Sequence, residues 1–282
     1  MEQLKKFLSL VRFSHTIFAL PFALASLFVA SDGLPSFLFF FQILLCMVTA
    51  RNAAMAFNRL ADADIDAENP RTKMRHLVNG ALSKQSVVGF FLFNAVGFAL
   101  ASLWINALCF YLSFPILVIL CAYSLFKRFS WLCHLFLGLA IGLSPIAVWI
   151  AARGEVAWFP VLLGGILMTW IAGFDIIYST QDRKVDEELG LHSIPVRFGE
   201  KGALRLAMFF HIIMLVMMAV VPFVISFSWP WWVVFGLSTL LMGYIHLGRK
   251  SNSLDELNSD FMQANSILSV FVLVACLLEV YL

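Results

Sequence analysis

Two pairs of aspartates stand four residues apart in this chain: Asp62 and Asp66 in "NRLADADIDAENPRT", and Asp182 and Asp186 in "STQDRKVDEELG". On a helix that spacing stacks both carboxylates on one face. Four residues before Asp62 is Asn58, and seven before Asn58 is Arg51; four before Asp182 is Tyr178, and seven before Asp182 is Asp175. Like charges so spaced destabilise a helix, and near an apolar interior they repel more strongly. A cation must compensate, and Mg2+ suits: it takes hard oxygen ligands, keeps waters, and commonly bridges one or two carboxylates to substrate phosphates. Solvation of a loop would explain one such pair, but poorly explains two matched pairs.

Basic residues nearby fit a phosphate. Arg71 and Arg75 lie four apart just beyond the first acid pair, and "YSLFKR" places Tyr123, Lys127 and Arg128 together. Guanidinium forks and an ammonium neutralise phosphate oxygens well. Topology alone accounts for Arg128, Lys184 and Lys250, whereas Lys127, Arg71 and Arg75 are assigned to the site. Arg51, inside an apolar stretch, calls for an anion. A substrate carboxylate is one such anion, and Asp175 on another span is the alternative. Asp175 is itself an ionisable residue within a span, hence either functional or a carboxylate paired with a basic neighbour. His15, His134, His211 and His246 are expected to be packing or interface residues.

The elements that position these groups follow from composition. Hydrophobic residues make up 61% of the 282, and charged residues 13%, against roughly 25% charged in soluble domains. The chain is therefore expected to be an all-α, polytopic membrane protein. Apolar stretches long enough for a bilayer fall near 14–31, 36–57, 85–106, 108–126, 131–152, 156–179, 203–227, 229–247 and 262–281, giving nine spans. The tightest boundaries are "WINA" and "SFSWPWW"; merging across either would make a helix far too long for a membrane.

Seventeen of the nineteen Lys and Arg residues fall on one face of this arrangement, with Arg51 near that face and Arg153 alone opposite. The positive-inside rule then puts the N-terminus in the cytoplasm and the C-terminus outside, in what is expected to be a bacterial inner membrane. Lys5 and Lys6 before an apolar run with Ala23-Leu24-Ala25 resemble a secretory signal, but the overlong run and eight further spans argue against cleavage. Cys46, Cys109, Cys121, Cys133 and Cys276 lack disulfide or metal spacing. No appended soluble domain is expected, and a net charge of +2 gives no sign of a nucleic-acid partner. The acid motifs end two even-numbered spans of the same orientation. The single membrane domain therefore reads as weak parallel repeats, about 14–126 and 131–247, bringing both acid pairs to one cavity.

The segments "NRLADADIDAENPRT", "YSLFKR", "GFDIIYSTQDRKVDEELGLHSIPVRFG" and "VRFSHTIFALPFALA" resemble the motifs of the UbiA-type intramembrane aromatic prenyltransferases, in particular the 4-hydroxybenzoate polyprenyltransferase branch. The resemblance covers nearly the whole chain. It implies a nine-helix bundle around a central cavity open to the bilayer, two Mg2+ ions held by Asp62, Asp66, Asp182 and Asp186, and a polyprenyl diphosphate donor. Two positions depart from the family. Arg59 stands where many relatives carry Asp, and "RHLVNG" at 75–80 replaces the commoner Arg-Pro-Leu-Pro-x-Gly.

The chemistry expected on this resemblance is prenylation of an aromatic acid's ring carbon in quinone biosynthesis. Lys127, Arg71 and Arg75 would stabilise the charge developing on diphosphate. Asn58, Tyr123, Tyr178 and Arg51 would bind substrate, and Asp175 is a candidate near the loss of the ring proton. The acceptor is expected to be 4-hydroxybenzoate, for ubiquinone, with a dihydroxynaphthoate, for menaquinone, as the alternative. A cation-coupled transporter is the competing class, but its acids would be expected near the midplane on broken helices, not beside phosphate-type bases at one interface.

Overall fold

The computed structural model describes Leu10, residues 19–247 and residues 254–282, the backbone alone over 254–265. Lys5, Lys6, Arg12, His15, Arg249, Lys250 and the start of the first predicted span lie outside the described residues.

Among the described residues the chain is all-helical. Nine apolar helices match the nine predicted spans: α1 (Ala19–Ala30), α2 (Phe37–Ala61), α4 (Lys84–Ile105), α5 (Ala107–Phe126), α6 (Cys133–Arg153), α7 (Trp158–Ser179), α9 (Ile194–Ile225), α10 (Trp229–Leu247) and α11 (Leu254–Tyr281). Seven are long and apolar enough to cross a membrane, while α1 and the apolar part of α11, Ser266–Tyr281, are shorter. Two short helices complete the set: α3 (Ala63–Glu68) and α8 (Arg183–Glu188), the latter preceded by a 3-10 turn at Thr180–Asp182.

The tight boundaries have identifiable causes. Asn106 alone separates α4 from α5; its backbone is extended (φ −169°, ψ 170°), and its side chain accepts from Cys109 N at 2.8 Å. A residue that can cap a helix therefore restarts it at once. Between α9 and α10 the chain turns at Ser226 (φ 57°). There the Glu279 carboxylate, from α11, accepts from Ser228 N, Ser228 Oγ and Trp231 N at 2.7, 2.9 and 3.1 Å. The two backbone N–H groups among them are ones that the start of α10 cannot satisfy within itself. The seventh span begins nine residues earlier than its apolar stretch, at Ile194, with a break at Gly199 (φ 68°, ψ 175°) that suits glycine.

The described residues form two compact units, each built from separated stretches. The first comprises Leu10, Ser36–Cys133 and Asp182–Ser193; the second comprises 19–35, His134–Gln181, and Ile194–Leu282 apart from 248–253. In the first, α2 packs against α4 and α5. Side-chain amides join α2 to α4: Asn52 Nδ2 donates to Asn94 Oδ1 at 3.0 Å, and Gln42 Nε2 to Trp104 O at 2.9 Å. Leu92, Val96 and Leu100 leave an exposed apolar stripe on α4, as lipid permits.

In the second unit α7 packs against α9. α6 approaches α7 so closely that a Cβ at Gly142 or at Gly164 would meet the other's carbonyl oxygen at 2.5 Å. Small residues at such seams let membrane helices pack backbone to backbone. Ser26 Oγ donates to Pro145 O at 2.7 Å, taking up a hydroxyl buried in an apolar setting.

Candidate active site

α2 runs one turn beyond its predicted end and so carries Asn58 and Arg59 on regular helix. Asp62 ends it with φ −98° and ψ 5°. The break does not undo the predicted stacking: Asp62 N bonds to Asn58 O at 2.9 Å and Asp66 N to Asp62 O at 2.8 Å, so the four-residue rhythm continues into α3. The second pair is built alike. Asp182, at φ −88° and ψ −3°, closes the 3-10 turn and precedes α8, which carries Asp186. Each pair thus straddles a joint followed by a six-residue helix.

All four motif aspartates belong to the first unit, and three contact named bases there. Asp62 Oδ2 lies 3.1 Å from Lys127 Nζ and accepts from Asn58 Nδ2 at 2.9 Å. Asn58 in turn reaches Ser124 Oγ at 3.3 Å. Asp66 Oδ2 meets Arg75 Nη1 at 2.5 Å, and Thr72 Oγ1 donates to the Asp66 carbonyl at 3.1 Å. Asp182 is gripped by both arms of Arg71, with Nε to Oδ1 at 3.0 Å, and Asn69 Nδ2 donates to the same Oδ1 at 3.0 Å. Asp186 lies one turn further on α8, its carbonyl accepting Leu191 N at 2.8 Å. Among the described residues no three His, Cys, Asp or Glu side chains gather as one metal-binding group.

Asp62 and Asp66 are each 4% exposed. Burial pushes the Asp62 carboxyl above the usual aspartate range, against the opposing pull of Lys127. Asp64, outside both pairs, is exposed, and its hydrogen bonds from Arg128 at 2.8 and 3.1 Å hold it below that range. Arg128 also donates to the carbonyl of Ala61 at the end of α2. It therefore braces the α2–α3 joint, beyond what topology requires of it.

The two departures from the family pattern have definite structures. Arg59 is 6% exposed, donating to Leu10 O at 3.4 Å and to Asn58 Oδ1 at 3.3 Å, which steadies the asparagine beside Asp62. The segment 75–80 forms successive turns: Asn79 N bonds to Arg75 O at 2.9 Å, Asn79 Oδ1 accepts Ala81 N at 3.0 Å, and Gly80 adopts φ 76°. It thereby keeps Arg75 on Asp66 without the prolines.

Arg51 and Tyr123 lie on α2 and α5 of the same unit, near enough to interact electrostatically. Asp175 and Tyr178 are on α7 in the second unit. Asp175 Oδ2 is 2.7 Å from His134 Nδ1, and Tyr178 stacks on Phe174 with centroids 6.2 Å apart. Spacing does not single out Asn69 or Thr72; "Asn-Pro" after an acidic run, which favours a turn, is the signal that could have marked Asn69. His134, expected to be a packing residue, makes a polar pair.

The profile of the UbiA prenyltransferase family matches residues 19–267. The chain belongs to that family. A 4-hydroxybenzoate octaprenyltransferase of Alcanivorax borkumensis is 33% identical over 208 residues, which are 73% of this chain and 71% of that one. In structure, this UbiA-family chain is similar to the apo form of a UbiA homolog from Aeropyrum pernix K1, at a TM-score of 0.82 and 28% identity, covering 94% of this chain and 98% of that one. A UbiA homolog from Archaeoglobus fulgidus, bound to DMAPP and Mg2+, shares the fold at a TM-score of 0.76 and 20% identity, over 98% of this chain and 99% of that one.

Proposed function

We propose that the protein transfers a polyprenyl group from a polyprenyl diphosphate to a ring carbon of 4-hydroxybenzoate, as a step in ubiquinone biosynthesis in a bacterial inner membrane. The observation that carries this is the assembly, within one unit, of Asp62, Asp66 and Asp182 against Lys127, Arg75 and Arg71. Such interleaving of hard oxygen donors with phosphate-type cations suits a metal diphosphate. The name of the Alcanivorax relative supports the aromatic acid, and the Archaeoglobus homolog bound to DMAPP and Mg2+ supports the donor and the metal.

The residues fit Mg2+. Asp62 Oδ1 is buried with no hydrogen-bond partner among the described residues, an arrangement that is unfavourable unless a cation completes it. Asp62 with Asp66, and Asp182 with Asp186, would hold the metal, which supplies neutralisation of the diphosphate charge as a Lewis acid.

The chain's own groups do the rest. Lys127, Arg71 and Arg75 bind phosphate oxygens and stabilise the charge gathering as the carbon–oxygen bond breaks. Asn58 and Asn69 orient Asp62 and Asp182 through neutral amides, adding no charge. Arg51 binds the acceptor's carboxylate; Tyr123 and Tyr178 offer aromatic faces to the prenyl cation, and apolar surroundings keep water from it. Asp175 accepts the ring proton.

The test is product analysis by mass spectrometry, with the purified protein offered 4-hydroxybenzoate and a dihydroxynaphthoate together with donors of several lengths. Ring-prenylated hydroxybenzoate and released diphosphate are expected. Prenylated naphthoate alone would reassign the acceptor, and no prenylated product with either acid would refute the reading.

A further inference from the structure

His134, on α6, is 3% exposed and is bound at both ring nitrogens. Its Nε2 receives the backbone N–H of Ile194 at 3.3 Å, and its Nδ1 lies 2.7 Å from Asp175 Oδ2. Ile194 opens α9, where N–H groups have no acceptor within the helix, and the imidazole supplies one. A nitrogen that accepts cannot carry a proton, so the proton of the neutral ring resides on Nδ1 and is donated to Asp175. The two contacts therefore fix a single tautomer and leave Asp175 as the acceptor. The Asp175 side chain is 29% exposed, and its Oδ1 carries no hydrogen bond among the described residues.

We propose that His134 is a positioning residue for the deprotonation step: by holding Oδ2 of Asp175, it presents Oδ1 to the proton on the newly prenylated ring carbon. This rests on the prenyl-transfer reading above. Diphosphate departs with the electron pair of the carbon–oxygen bond, and a π pair of the acceptor ring forms the new carbon–carbon bond. The carbon–hydrogen bond at that position then breaks. Its electron pair restores the aromatic ring, and the proton passes to Asp175 Oδ1. His134 keeps its own proton throughout, so the step places no new charge on the imidazole.

Two amide replacements separate positioning from packing. His134→Asn keeps an N–H near the place of Nδ1 and can still donate to Asp175; His134→Gln moves that N–H toward the place of Nε2 and cannot. Both are compared with the parent, using 4-hydroxybenzoate deuterated at the ring positions beside the hydroxyl. The Asn variant should keep kcat within about threefold of the parent. The Gln variant should lose roughly tenfold or more, the scale of a misplaced general base, at unchanged KM for the donor. It should also show a deuterium isotope effect that the parent lacks, because proton loss has become slow. His134→Ala, where it folds, should follow the Gln variant. Equal losses in the Asn and Gln variants with no isotope effect, or full activity in both, would overturn the role of His134. Absence of any prenylated acid from the parent would instead refute the prenyl-transfer reading, and this inference with it.

Discussion

Asn69 and Asp182 stand 113 residues apart, and the side-chain amide of the first donates to the carboxylate of the second at 3.0 Å. The Asn69 side-chain oxygen Oδ1 accepts from Arg71 N at 2.9 Å, and the Arg71 guanidinium returns to Asp182. Asp182 is thus held by the loop that follows the first acid pair. The two acid motifs form one structure rather than two sites that happen to share a sequence pattern.

Asn69→Ala should therefore impair metal use while leaving the helices intact. A hydrogen bond to a charged group contributes about 1.5–3 kcal/mol, and Arg71 still restrains the carboxylate. The Mg2+ concentration for half-maximal turnover should rise roughly tenfold, near the lower end of that range. A Mg2+ titration of activity beside circular dichroism of the variant is the check. An unchanged titration would make the contact incidental.

The buried Asp62 carboxyl makes a pH prediction. Its pKa is raised by burial, so a proton competes with Mg2+ for its oxygens at higher pH than at an exposed aspartate, near 3.9. The metal requirement should climb as pH falls through the raised range. Stability carries the opposite sign: the fold holds this proton more tightly than the unfolded chain does, so this group's contribution becomes less favourable as pH rises from the unfolded value to the folded one. Mg2+ titrations of activity across a pH series test the first statement; a requirement independent of pH would contradict it.

Arg51 and Lys127 should fail differently. Arg51→Ala should raise the Michaelis constant for the aromatic acid by tenfold or more, given about 1.5–3 kcal/mol for a charge-assisted contact, with donor binding retained. Lys127→Ala removes the cation beside Asp62 and should weaken donor use with every acceptor. A phenol lacking the carboxylate distinguishes them. If Arg51→Ala and the parent differ as much on that phenol as on the acid, Arg51 does not read the carboxylate.

Charge asymmetry also predicts sides. A reporter fused after Arg128 should read as cytoplasmic and one fused after Leu282 as external, since an odd number of spans separates the chain's ends. Both reading on the same side would contradict the orientation.

The helices were legible because bilayer length and apolarity are local properties: "WINA" marks a boundary by the length of the run it interrupts, although the break itself is Asn106 alone. The stacking of Asp62 on Asp66 was legible because hydrogen bonding continues through the joint that follows Ala61. Asn69 was not, since its partner is distant in the chain and a lone amide in a turn has no period to betray it. His134 looked like packing for a related reason. One histidine on an apolar helix announces neither Asp175 nor the N–H of Ile194, which come from two other helices. Arg59 was read as a lost acid, and its value as a brace for Asn58 depends on Leu10, again a contact that no spacing encodes.

On the proposed function, the two acid motifs act together, through a divalent metal, to drive prenyl transfer. The most direct test is turnover by Asp62→Asn and Asp182→Asn, each purified, shown to be folded, and supplied with Mg2+, polyprenyl diphosphate and 4-hydroxybenzoate. The parent should form ring-prenylated acid only with the metal present, and each variant, having lost one charged oxygen ligand at nearly constant size, should form none. Parent-like product from either variant, or from the parent under a chelator, would contradict the account.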